Sequence, residues 1–345
     1  MSENGQTTNG AVKLTRKDFA TDQEVRWCPG CGDYSILKQV QTVLPDTGRA
    51  PEDIVFVSGI GCSSRFPYYM NTYGMHSIHG RATAIATGVK AANPALDGWV
   101  IGGDGDLMSI GGNHLIHMLR RNPNLKLIMF NNQIYGLTKG QYSPTSEKGK
   151  VTKSTPYGSV DEPFNPAQLA LGAKATFYAR TLDRDPKHQQ AVITRANGHH
   201  GTAFVEIYQN CPVFNDGAFF QFPEKETKQE ECLLLEHGKP LVFGPNGSKG
   251  IKLDGFKPVI VEVTDEASKE ALWIHDETDK DKAFILAGFQ DRTDAHFPRP
   301  FGVFYREERS CIDEDMQKQV EDAAAKKGKT PLNKILSGDK TWTIL

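Results

Sequence analysis

Short apolar runs rich in β-branched and aromatic residues alternate with longer helical stretches between residues 25 and 215. The runs lie at 54–58 (IVFVS), 99–103 (WVIGG), 125–130 (LKLIMF), 175–179 (ATFYA) and 202–208 (TAFVEIY). The stretches with helical character lie at 34–44, 80–93, 113–122 and 187–197. Continuously apolar strands separated by helices predict a mostly parallel sheet with helices on both faces, a doubly wound α/β fold. Ligands of such sheets bind at the carboxyl ends of the strands.

The same pattern divides the chain into three parts. Residues 1–24 begin without periodicity, which predicts a largely loose N-terminal arm, whereas 25–215 form the sheet domain and 216–345 a C-terminal extension. Within the extension, apolar runs predict short strands at 240–244, 257–263, 283–288 and 302–308, followed by a helix at 313–327. The tail beyond about 310 stays unassigned. The connection at 139–166 is rich in Ser, Thr, Gly and Pro, and so long a connection is usually functional or mobile.

Charge and hydropathy exclude several classes of partner. Lys plus Arg total 40 and Asp plus Glu 42, a net charge of −2, so neither nucleic acid nor an anionic membrane is expected as a partner. No apolar run approaches the ~18 residues of a spanning helix, and the polar N-terminus lacks a signal-peptide core. We therefore expect a cytoplasmic protein. Six cysteines are too few for a disulfide scaffold, and two of them, Cys232 and Cys311, have no partner pattern and are interpreted as core or surface residues.

Glycines and oxygen-bearing side chains directly follow two of the predicted strands. The run at 99–103 ends with Gly103 and is followed directly by Asp104, Gly105 and Asp106. Two asparagines follow the run at 125–130. A GDG turn or an NN pair alone is most often an ordinary loop, but the two together at this spacing are more specific. Carboxylate and amide oxygens suit Mg²⁺, and the glycines let the backbone approach phosphate groups. The pattern indicates a diphosphate and metal site.

Four cysteines are placed where they can converge on one metal centre. Cys28 and Cys31 form a C-x2-C turn, Cys62 follows the run at 54–58, and Cys211 follows the run at 202–208. Four thiolates at one edge of the sheet can hold a [4Fe–4S] cluster or a structural zinc ion. Spacing alone does not separate these two possibilities.

The GDG and NN pair resembles the thiamine diphosphate motif of the thiamine-dependent enzymes. The resemblance implies that Asp104 and Asn132 bind Mg²⁺ through their side chains and Ile134 through its carbonyl. Oxidising a thiamine-bound intermediate by single electrons requires a one-electron centre, which zinc cannot be, so thiamine chemistry favours the cluster.

A wider set of segments resembles the β subunit of 2-oxoacid:ferredoxin oxidoreductases. These segments are WCPGCGDYSIL, SGIGCSSRFPYY, HSIHGRATAIATGVKAANP, GDGDLMSIGGNH, FNNQIYGLTKGQYSPTS and QNCPVFN. Parts of the C-terminal extension look like the branch that prefers 2-oxoglutarate. The resemblance implies that Cys28, Cys31, Cys62 and Cys211 hold a [4Fe–4S] cluster next to thiamine diphosphate. It implies cofactor contacts for Ile60, Gly61, Cys62, Ser63, Gly103, Gly105, Asp106, Gly136 and Leu137.

The family resemblance also implies the reaction and the partners. The expected reaction is oxidative decarboxylation of a 2-oxo acid with coenzyme A, reversible as reductive carboxylation, with ferredoxin as electron acceptor. In this family the Glu that contacts the pyrimidine ring of thiamine comes from the α subunit, and this sequence offers no candidate for it. We therefore expect a chain that is inactive alone and works in a heterodimer, or a dimer of heterodimers. His79 is either a cofactor neighbour or a structural histidine at a helix start.

Two positions relate to the substrate. Leu137, just before Thr138, stands where pyruvate-specific relatives carry Asn. Arg65 stands where the family has a basic residue near the distal end of the substrate, and its guanidinium could bind the second carboxylate of 2-oxoglutarate. Arg65 could instead pair with an acidic residue of the partner, so pyruvate, 2-oxobutyrate and indolepyruvate remain alternatives.

Two more distant alternatives follow from the shared motifs. A non-redox thiamine decarboxylase would share GDG and NN but would not need the four cysteines. A zinc-stabilised scaffold subunit would contain zinc and bind no thiamine.

Overall fold

The computed structural model describes residues 14–328, 330–342 and 344. In these residues the strands are β1 (Ile54–Ser58), β2 (Tyr73–His76), β3 (Asp97–Gly103), β4 (Leu125–Asn131), β5 (Phe177–Leu182), β6 (Ala203–Tyr208), β7 (Cys232–Leu235), β8 (Val242–Phe243), β9 (Lys249–Asp254), β10 (Lys257–Glu262) and β11 (Arg299–Arg306). The α-helices are α1 (Asp33–Val43), α2 (Ala82–Ala92), α3 (Gly112–Arg121), α4 (Pro166–Gly172), α5 (Pro186–Asn197), α6 (Lys228–Glu231), α7 (Glu266–Glu270), α8 (Lys280–Ala287), α9 (Ile312–Lys327) and α10 (Leu332–Ser337). All five strands and all four helices predicted between 25 and 215 are present.

The main sheet has eight strands in the order β2-β1-β3-β4-β6-β5-β11-β7. Neighbouring strands are parallel except β11, which runs antiparallel to β5. The predicted mostly parallel sheet is thereby confirmed. Strand β5 spans 177–182 rather than 175–179. Strand β2 was not predicted, because all four of its residues are exposed and leave no apolar pattern.

Helices cover both faces of this sheet. Val57 and Leu127 belong to the apolar cluster under α2, α3, α4 and α8. Phe56 and Ile128, their neighbours in the chain, belong to the cluster under α1 and α5. Because successive side chains of a strand point to opposite faces, continuously apolar strands require two covered faces. The doubly wound arrangement is confirmed.

The C-terminal extension contributes to the main sheet and forms a second sheet. Strands β7 and β11 join the main sheet, whereas β8, β9 and β10 form a three-stranded antiparallel sheet. The predicted strand at 283–288 is wrong, because these residues lie largely in α8. Asp279 accepts a hydrogen bond from the Lys282 amide (3.0 Å) and caps this helix. A short apolar run cannot by itself be assigned to a strand or a helix. The predicted helix at 313–327 is confirmed by α9.

The start of the described chain packs against the domain. The first thirteen residues of the predicted arm lie outside the described residues. Residues 14–24, which we expected to be loose, include a 3-10 turn at Arg16–Phe19, and the Phe19 side chain is fully buried in the cluster under α1. The Phe19 carbonyl accepts a hydrogen bond from the Asn71 amide (3.0 Å). Across the described ranges, none of the helices has both the length and the apolar content to cross a bilayer.

Candidate active site

Four neighbouring parallel strands, β1, β3, β4 and β6, end at the same edge of the main sheet. The segments that follow them are 59–63, 104–106, 132–137 and 209–211. These segments contain the GDG and NN motifs, Cys62 and Cys211. The sheet order therefore brings together the two motif sets that the sequence placed at strand ends, as expected for ligand sites in open α/β sheets.

Asp104 is held at this edge by hydroxyl groups and by the backbone of the next strand. Its Oδ2 accepts hydrogen bonds from Ser143 Oγ (2.5 Å) and Thr145 Oγ1 (2.6 Å). Burial raises the pKa of the Asp104 carboxyl to about 6, although these hydroxyls and the backbone amides of Gly105 and Asn132 oppose the shift. None of the described Lys, Arg or His side chains comes within 4.0 Å of its oxygens. A buried carboxylate without a cation partner fits a divalent metal ligand.

Asn132 lies directly beside Asp104, as the sequence predicted. Its Oδ1 accepts a hydrogen bond from the Ile134 amide (3.2 Å), and its Nδ2 donates to Gln209 Oε1 (2.8 Å). Asn215 Nδ2 donates to the Asn132 carbonyl (2.8 Å). The side-chain orientation of Asn132 is therefore fixed from two directions. Asp104 and Asn132 thus place a carboxylate and an amide oxygen, two ligand types that suit Mg²⁺, at the same edge of the sheet.

Asp106 joins two loops at the site through its carboxylate. Its buried Oδ1 accepts hydrogen bonds from the Ile60 amide (3.0 Å), the Gly80 amide (2.8 Å) and His79 Nδ1 (2.5 Å). Its Oδ2 is buried without a partner among the described residues. A Cβ at Gly59 would lie 2.0 Å from Oδ2, so only glycine leaves room there. His79 is thus fixed by Asp106 and stays partly exposed at the site.

The segments around the GDG turn are in contact with one another, and the contact at Gly105 leaves no room for a side chain. A Cβ at Gly105 would lie 2.2 Å from Cε1 of Tyr135, whose hydroxyl donates to the Gly105 carbonyl (3.0 Å). A Cβ at Gly103 would lie 3.5 Å from Ser63 Oγ. Ser63 is buried and opens the short helix that follows Cys62. The segments predicted to contact the cofactor therefore pack against one another.

The C-x2-C turn packs against the loop of the third cysteine. The Cys31 amide donates to the Cys28 carbonyl (3.1 Å), which closes the turn. Trp27 Nε1 donates to the Cys62 carbonyl (2.7 Å). Gln209 Nε2 donates to Cys31 Sγ (3.2 Å). The first three predicted cluster ligands therefore lie together, next to the segment that carries the fourth.

Gly136 lies next to two of the sulfur atoms. A methyl group at this position would be 3.6 Å from Cys62 Sγ and 3.8 Å from Cys211 Sγ. Burial, with smaller contributions from Asp33 and Cys211, raises the pKa of the Cys62 thiol to about 11. Burial also raises the pKa of Cys31. The thiols of Cys31 and Cys62 are therefore protonated at neutral pH unless a metal centre replaces their protons.

The predicted substrate residues lie at the rim of the site. Arg65 Nε donates to Tyr69 Oη (3.0 Å), and its guanidinium lies 5.9 Å from the centre of the Tyr68 ring. No carboxylate of the described residues lies within 4.0 Å of this guanidinium. Leu137 is 58% exposed, and Thr138 is also exposed. The chain alone therefore leaves this side of the site open.

Comparisons with known proteins agree with this geometry. Residues 59–207 match the family model described as the thiamine pyrophosphate enzyme, C-terminal TPP binding domain. The 2-oxoglutarate oxidoreductase subunit KorB of Mycobacterium tuberculosis is 52% identical over 347 residues, which cover 98% of this chain and 92% of that one. The 2-oxoacid:ferredoxin oxidoreductase 2, subunit beta, of Aeropyrum pernix is 44% identical over 199 residues, which cover 58% of this chain and 64% of that one. The chain belongs to the 2-oxoacid:ferredoxin oxidoreductase β-subunit family.

A solved structure resembles this β subunit over nearly its whole length. It is a 2-oxoglutarate:ferredoxin oxidoreductase from Magnetococcus marinus with 2-oxoglutarate, coenzyme A and succinyl-CoA bound. The TM-score is 0.76 and the identity 32%, and the match covers 96% of this chain and 98% of that one. The predicted family and fold are confirmed, and the protein is a subunit of an oxidoreductase.

A buried network behind the site of this β subunit was not predicted. Glu206 Oε1 accepts from Asn131 Nδ2 (2.7 Å), and its Oε2 accepts from Arg180 Nε (2.6 Å). Thr145 Oγ1 lies within hydrogen-bonding distance of both Asn131 Oδ1 (3.0 Å) and Asp104 Oδ2 (2.6 Å). Glu206 and Arg180 are thereby linked to the candidate metal ligand Asp104. The sequence signal for this network was Glu206, a charged residue inside the otherwise apolar run at 202–208.

Proposed function

We propose that this chain is the β subunit of a 2-oxoglutarate:ferredoxin oxidoreductase. The reaction converts 2-oxoglutarate, coenzyme A and two oxidised ferredoxins to succinyl-CoA, CO₂, a proton and two reduced ferredoxins. Sufficiently reducing ferredoxin would drive the same reaction backwards as a carboxylation. The cofactors are thiamine diphosphate, Mg²⁺ and one [4Fe–4S] cluster. The bound ligands named for the Magnetococcus marinus structure support this substrate pair.

The loop at 132–137 is the observation that carries this proposal. Its first residue, Asn132, has its backbone amide beside the Asp104 carboxyl, where it opposes the rise in pKa that burial causes, and Gly136 lies within van der Waals reach of Cys62 and Cys211. A site for a diphosphate-bound metal and a site for a one-electron centre therefore share one short loop. Thiamine diphosphate would supply the stabilised carbanion chemistry of decarboxylation, and the cysteines would hold an electron acceptor next to it.

The spread of the thiols supports a cluster over zinc. Tetrahedral zinc holds its sulfur ligands about 3.8 Å apart, given Zn–S bonds of about 2.3 Å. Among the described residues, no three of the four thiols of Cys28, Cys31, Cys62 and Cys211 lie within 4.8 Å of one another. A cuboidal cluster holds its thiolates farther apart, because four iron atoms lie between them.

Each remaining residue at the edge has a role in this proposal. Asp104, Asn132 and the Ile134 carbonyl hold Mg²⁺. Contacts to thiamine diphosphate come from Ile60, Gly61, Cys62, Ser63, Gly103, Gly105, Asp106, Gly136 and Leu137. His79 faces the reaction, and the Asp106 carboxylate fixes its ring. Thr138 lies at the open rim, where the substrate enters.

An α subunit completes the site in this proposal. Ile78, Ile110 and Leu137 are large apolar side chains that are more than half exposed. All three lie next to residues of the candidate site, and exposed apolar clusters mark protein interfaces. The α subunit would supply the missing carboxylate for the thiamine pyrimidine in a heterodimer or a dimer of heterodimers. The free cysteines agree with a reducing, cytoplasmic location.

Arg65 tests the substrate assignment. Its Nε is used by Tyr69, whereas its two terminal nitrogens have no acceptor in the described chain, so they are available to a distal carboxylate. Hydrogen bonds between charged groups contribute about 1.5–3 kcal/mol, so Arg65→Ala should lower kcat/KM for 2-oxoglutarate about 10- to 100-fold. Arg65→Lys keeps the positive charge and should show a smaller loss than Arg65→Ala. Arg26 is an exposed arginine, so Arg26→Ala serves as the control.

The assay is anaerobic, coenzyme A-dependent reduction of a low-potential dye by the chain assembled with its α subunit. The substrates are 2-oxoglutarate, pyruvate and indolepyruvate. A preference for 2-oxoglutarate that is lost selectively in Arg65→Ala supports the proposal. Equal rates on pyruvate, or an unchanged Arg65→Ala, would refute the substrate assignment. A colourless complex without iron would refute the redox function and favour a non-redox thiamine enzyme.

A further inference from the structure

A second group of metal-binding side chains lies at the opposite edge of the main sheet. His200 precedes β6, Cys311 directly precedes α9, and Glu314 lies in the first turn of α9. One ligand atom from each lies within 4.8 Å of the other two, and no other group of three His, Cys, Asp or Glu in the described chain meets this limit. This cluster is remote from the candidate active site, since β6 runs from His200 towards Cys211 at the other edge.

The three side chains of this cluster are in contact with one another. His200 Nε2 lies 2.7 Å from Glu314 Oε1. Cys311 Sγ lies 3.7 Å from His200 Nδ1 and 3.8 Å from Nε2. The Cys311 side chain is fully buried, whereas the side chains of His200 and Glu314 are about half exposed. The thiol therefore lies at the base of the cluster and the other two ligands lie at its solvent side.

The surroundings of the cluster are negatively charged. The first turn of α9 carries Asp313, Glu314 and Asp315. Burial, together with the carboxylates of Asp313 and Glu314, raises the pKa of the Cys311 thiol to about 12. Lys90 offers a partial counter-charge at 3.9 Å from Asp313, while Asp315 accepts a hydrogen bond from Ser310. A bound cation would offset this excess of carboxylates.

We propose that His200, Cys311 and Glu314 bind a zinc ion, with water as the fourth ligand. Zinc bonds of about 2.0–2.3 Å place tetrahedral ligand atoms about 3.3–3.8 Å apart, so the Sγ–Nε2 separation already fits. The His200–Glu314 separation must widen by about half an ångström, which the exposed Glu314 side chain can accommodate. Thiolate and imidazole ligands select zinc over Mg²⁺ or Ca²⁺.

Binding is a ligand exchange without electron transfer. The Cys311 S–H bond breaks and a sulfur–zinc bond forms, and the proton leaves to solvent. His200 binds through the lone pair of Nε2 and carries its proton on Nδ1. The ion would connect the segment before β6 to the start of α9. It would fasten the C-terminal helix to the main sheet, where Asp313 already accepts a hydrogen bond from the Asn124 amide (3.0 Å).

The test uses the intact complex with its iron–sulfur cluster in place, under anaerobic conditions. The four cysteines of the candidate active site are then already bound to iron and cannot bind the added metal. Co²⁺ is the first probe, because a thiolate bound to Co²⁺ gives a charge-transfer band in the near ultraviolet. Zinc content after dialysis against buffered Zn²⁺ is the second. We expect one zinc per β chain and a cobalt band in the wild type, with both absent in Cys311→Ser and a Co²⁺ affinity at least tenfold weaker in Glu314→Gln.

Cys232→Ser is the matched control, because Cys232 is also a buried thiol whose pKa burial raises to about 12. It should keep both the band and the zinc. Iron and thiamine contents should stay the same in every variant, which separates this inference from the proposed function. A wild type that binds neither metal, or a Cys311→Ser variant that keeps the band, would overturn the proposal.

Discussion

Replacing the buried Glu206 by Gln should destabilise the fold more than any surface charge change. Glu206 is fully buried, and its partner Arg180 is almost fully buried. The carboxylate also accepts hydrogen bonds from Asn131 Nδ2 and from Tyr178 Oη (2.5 Å). Glutamine preserves the shape of the side chain but removes its charge. The variant would therefore leave the Arg180 guanidinium in the protein interior without a counter-ion.

The expected loss is about 3 kcal/mol in the free energy of unfolding. Removing one partner of a buried ion pair typically costs about 3–5 kcal/mol, because the remaining charge is uncompensated. The lower end applies here because Arg180 retains the faces of Tyr208 (5.1 Å) and Phe304 (5.2 Å). It also retains a hydrogen bond to Gln290 Oε1 (3.3 Å). A loss of this size lowers the Tm of a chain this long by roughly 4 °C, because the unfolding entropy grows with chain length.

Urea unfolding of the purified protein, followed by circular dichroism, measures this loss. Glu162→Gln is the control, because the Lys148–Glu162 pair is exposed and its removal should change stability by less than about 0.5 kcal/mol. The double variant Arg180→Met/Glu206→Leu removes both charges and should be more stable than Glu206→Gln. A Glu206→Gln protein within about 1 kcal/mol of wild type, or a double variant less stable than it, would refute the reasoning.

Two further predictions concern the GDG turn and a buried histidine. Gly105→Ala should displace Tyr135 and lower the thiamine content of the purified complex, whereas Gly112→Ala, whose Cβ meets no atom within 4 Å, should keep it. Burial lowers the pKa of His275, so its contribution to stability is fully present above pH ~6.5 and is lost as the pH falls below that value. The drop in the urea midpoint between pH 7 and pH 5 should shrink in His275→Gln but not in His296→Gln, an exposed control; an equal drop in all three proteins would contradict this prediction.

The sheet could be predicted from the sequence because its central strands are buried on both faces. The runs at 54–58 and 202–208 are apolar almost throughout, and each is flanked by turn residues or a helical stretch. The same reasoning failed where burial was one-sided or absent. Strand β2 has no buried residue, and the run at 283–288 is a helix that buries only Ala283, Leu286 and Ala287. Apolar content locates a buried segment, but its length and caps decide its type.

The convergence of the ligand-type residues at one edge of the sheet could be predicted because each of them follows a strand. Asp104, Asn132, Cys62 and Cys211 need only the strand order to become neighbours. Ser143 lies in the irregular connection at 139–166, where no periodicity fixes its position. Its contact with Asp104 depends on how that connection folds back over the sheet, which local sequence does not determine.

The short loop after β4 determines how far the candidate metal site lies from the sulfur atoms. Asn132 is anchored at its start, and the Tyr135 amide donates to the Gln141 carbonyl (2.8 Å) near its end. Gly136 follows at once, and a Cβ at this position would be in van der Waals contact with both Cys62 Sγ (3.6 Å) and Cys211 Sγ (3.8 Å). Because both ends of this segment are fixed by hydrogen bonds, the distance between the two sites is a property of the backbone. Side-chain substitutions can therefore change what binds at either site, but only an insertion or deletion in the loop should change their separation.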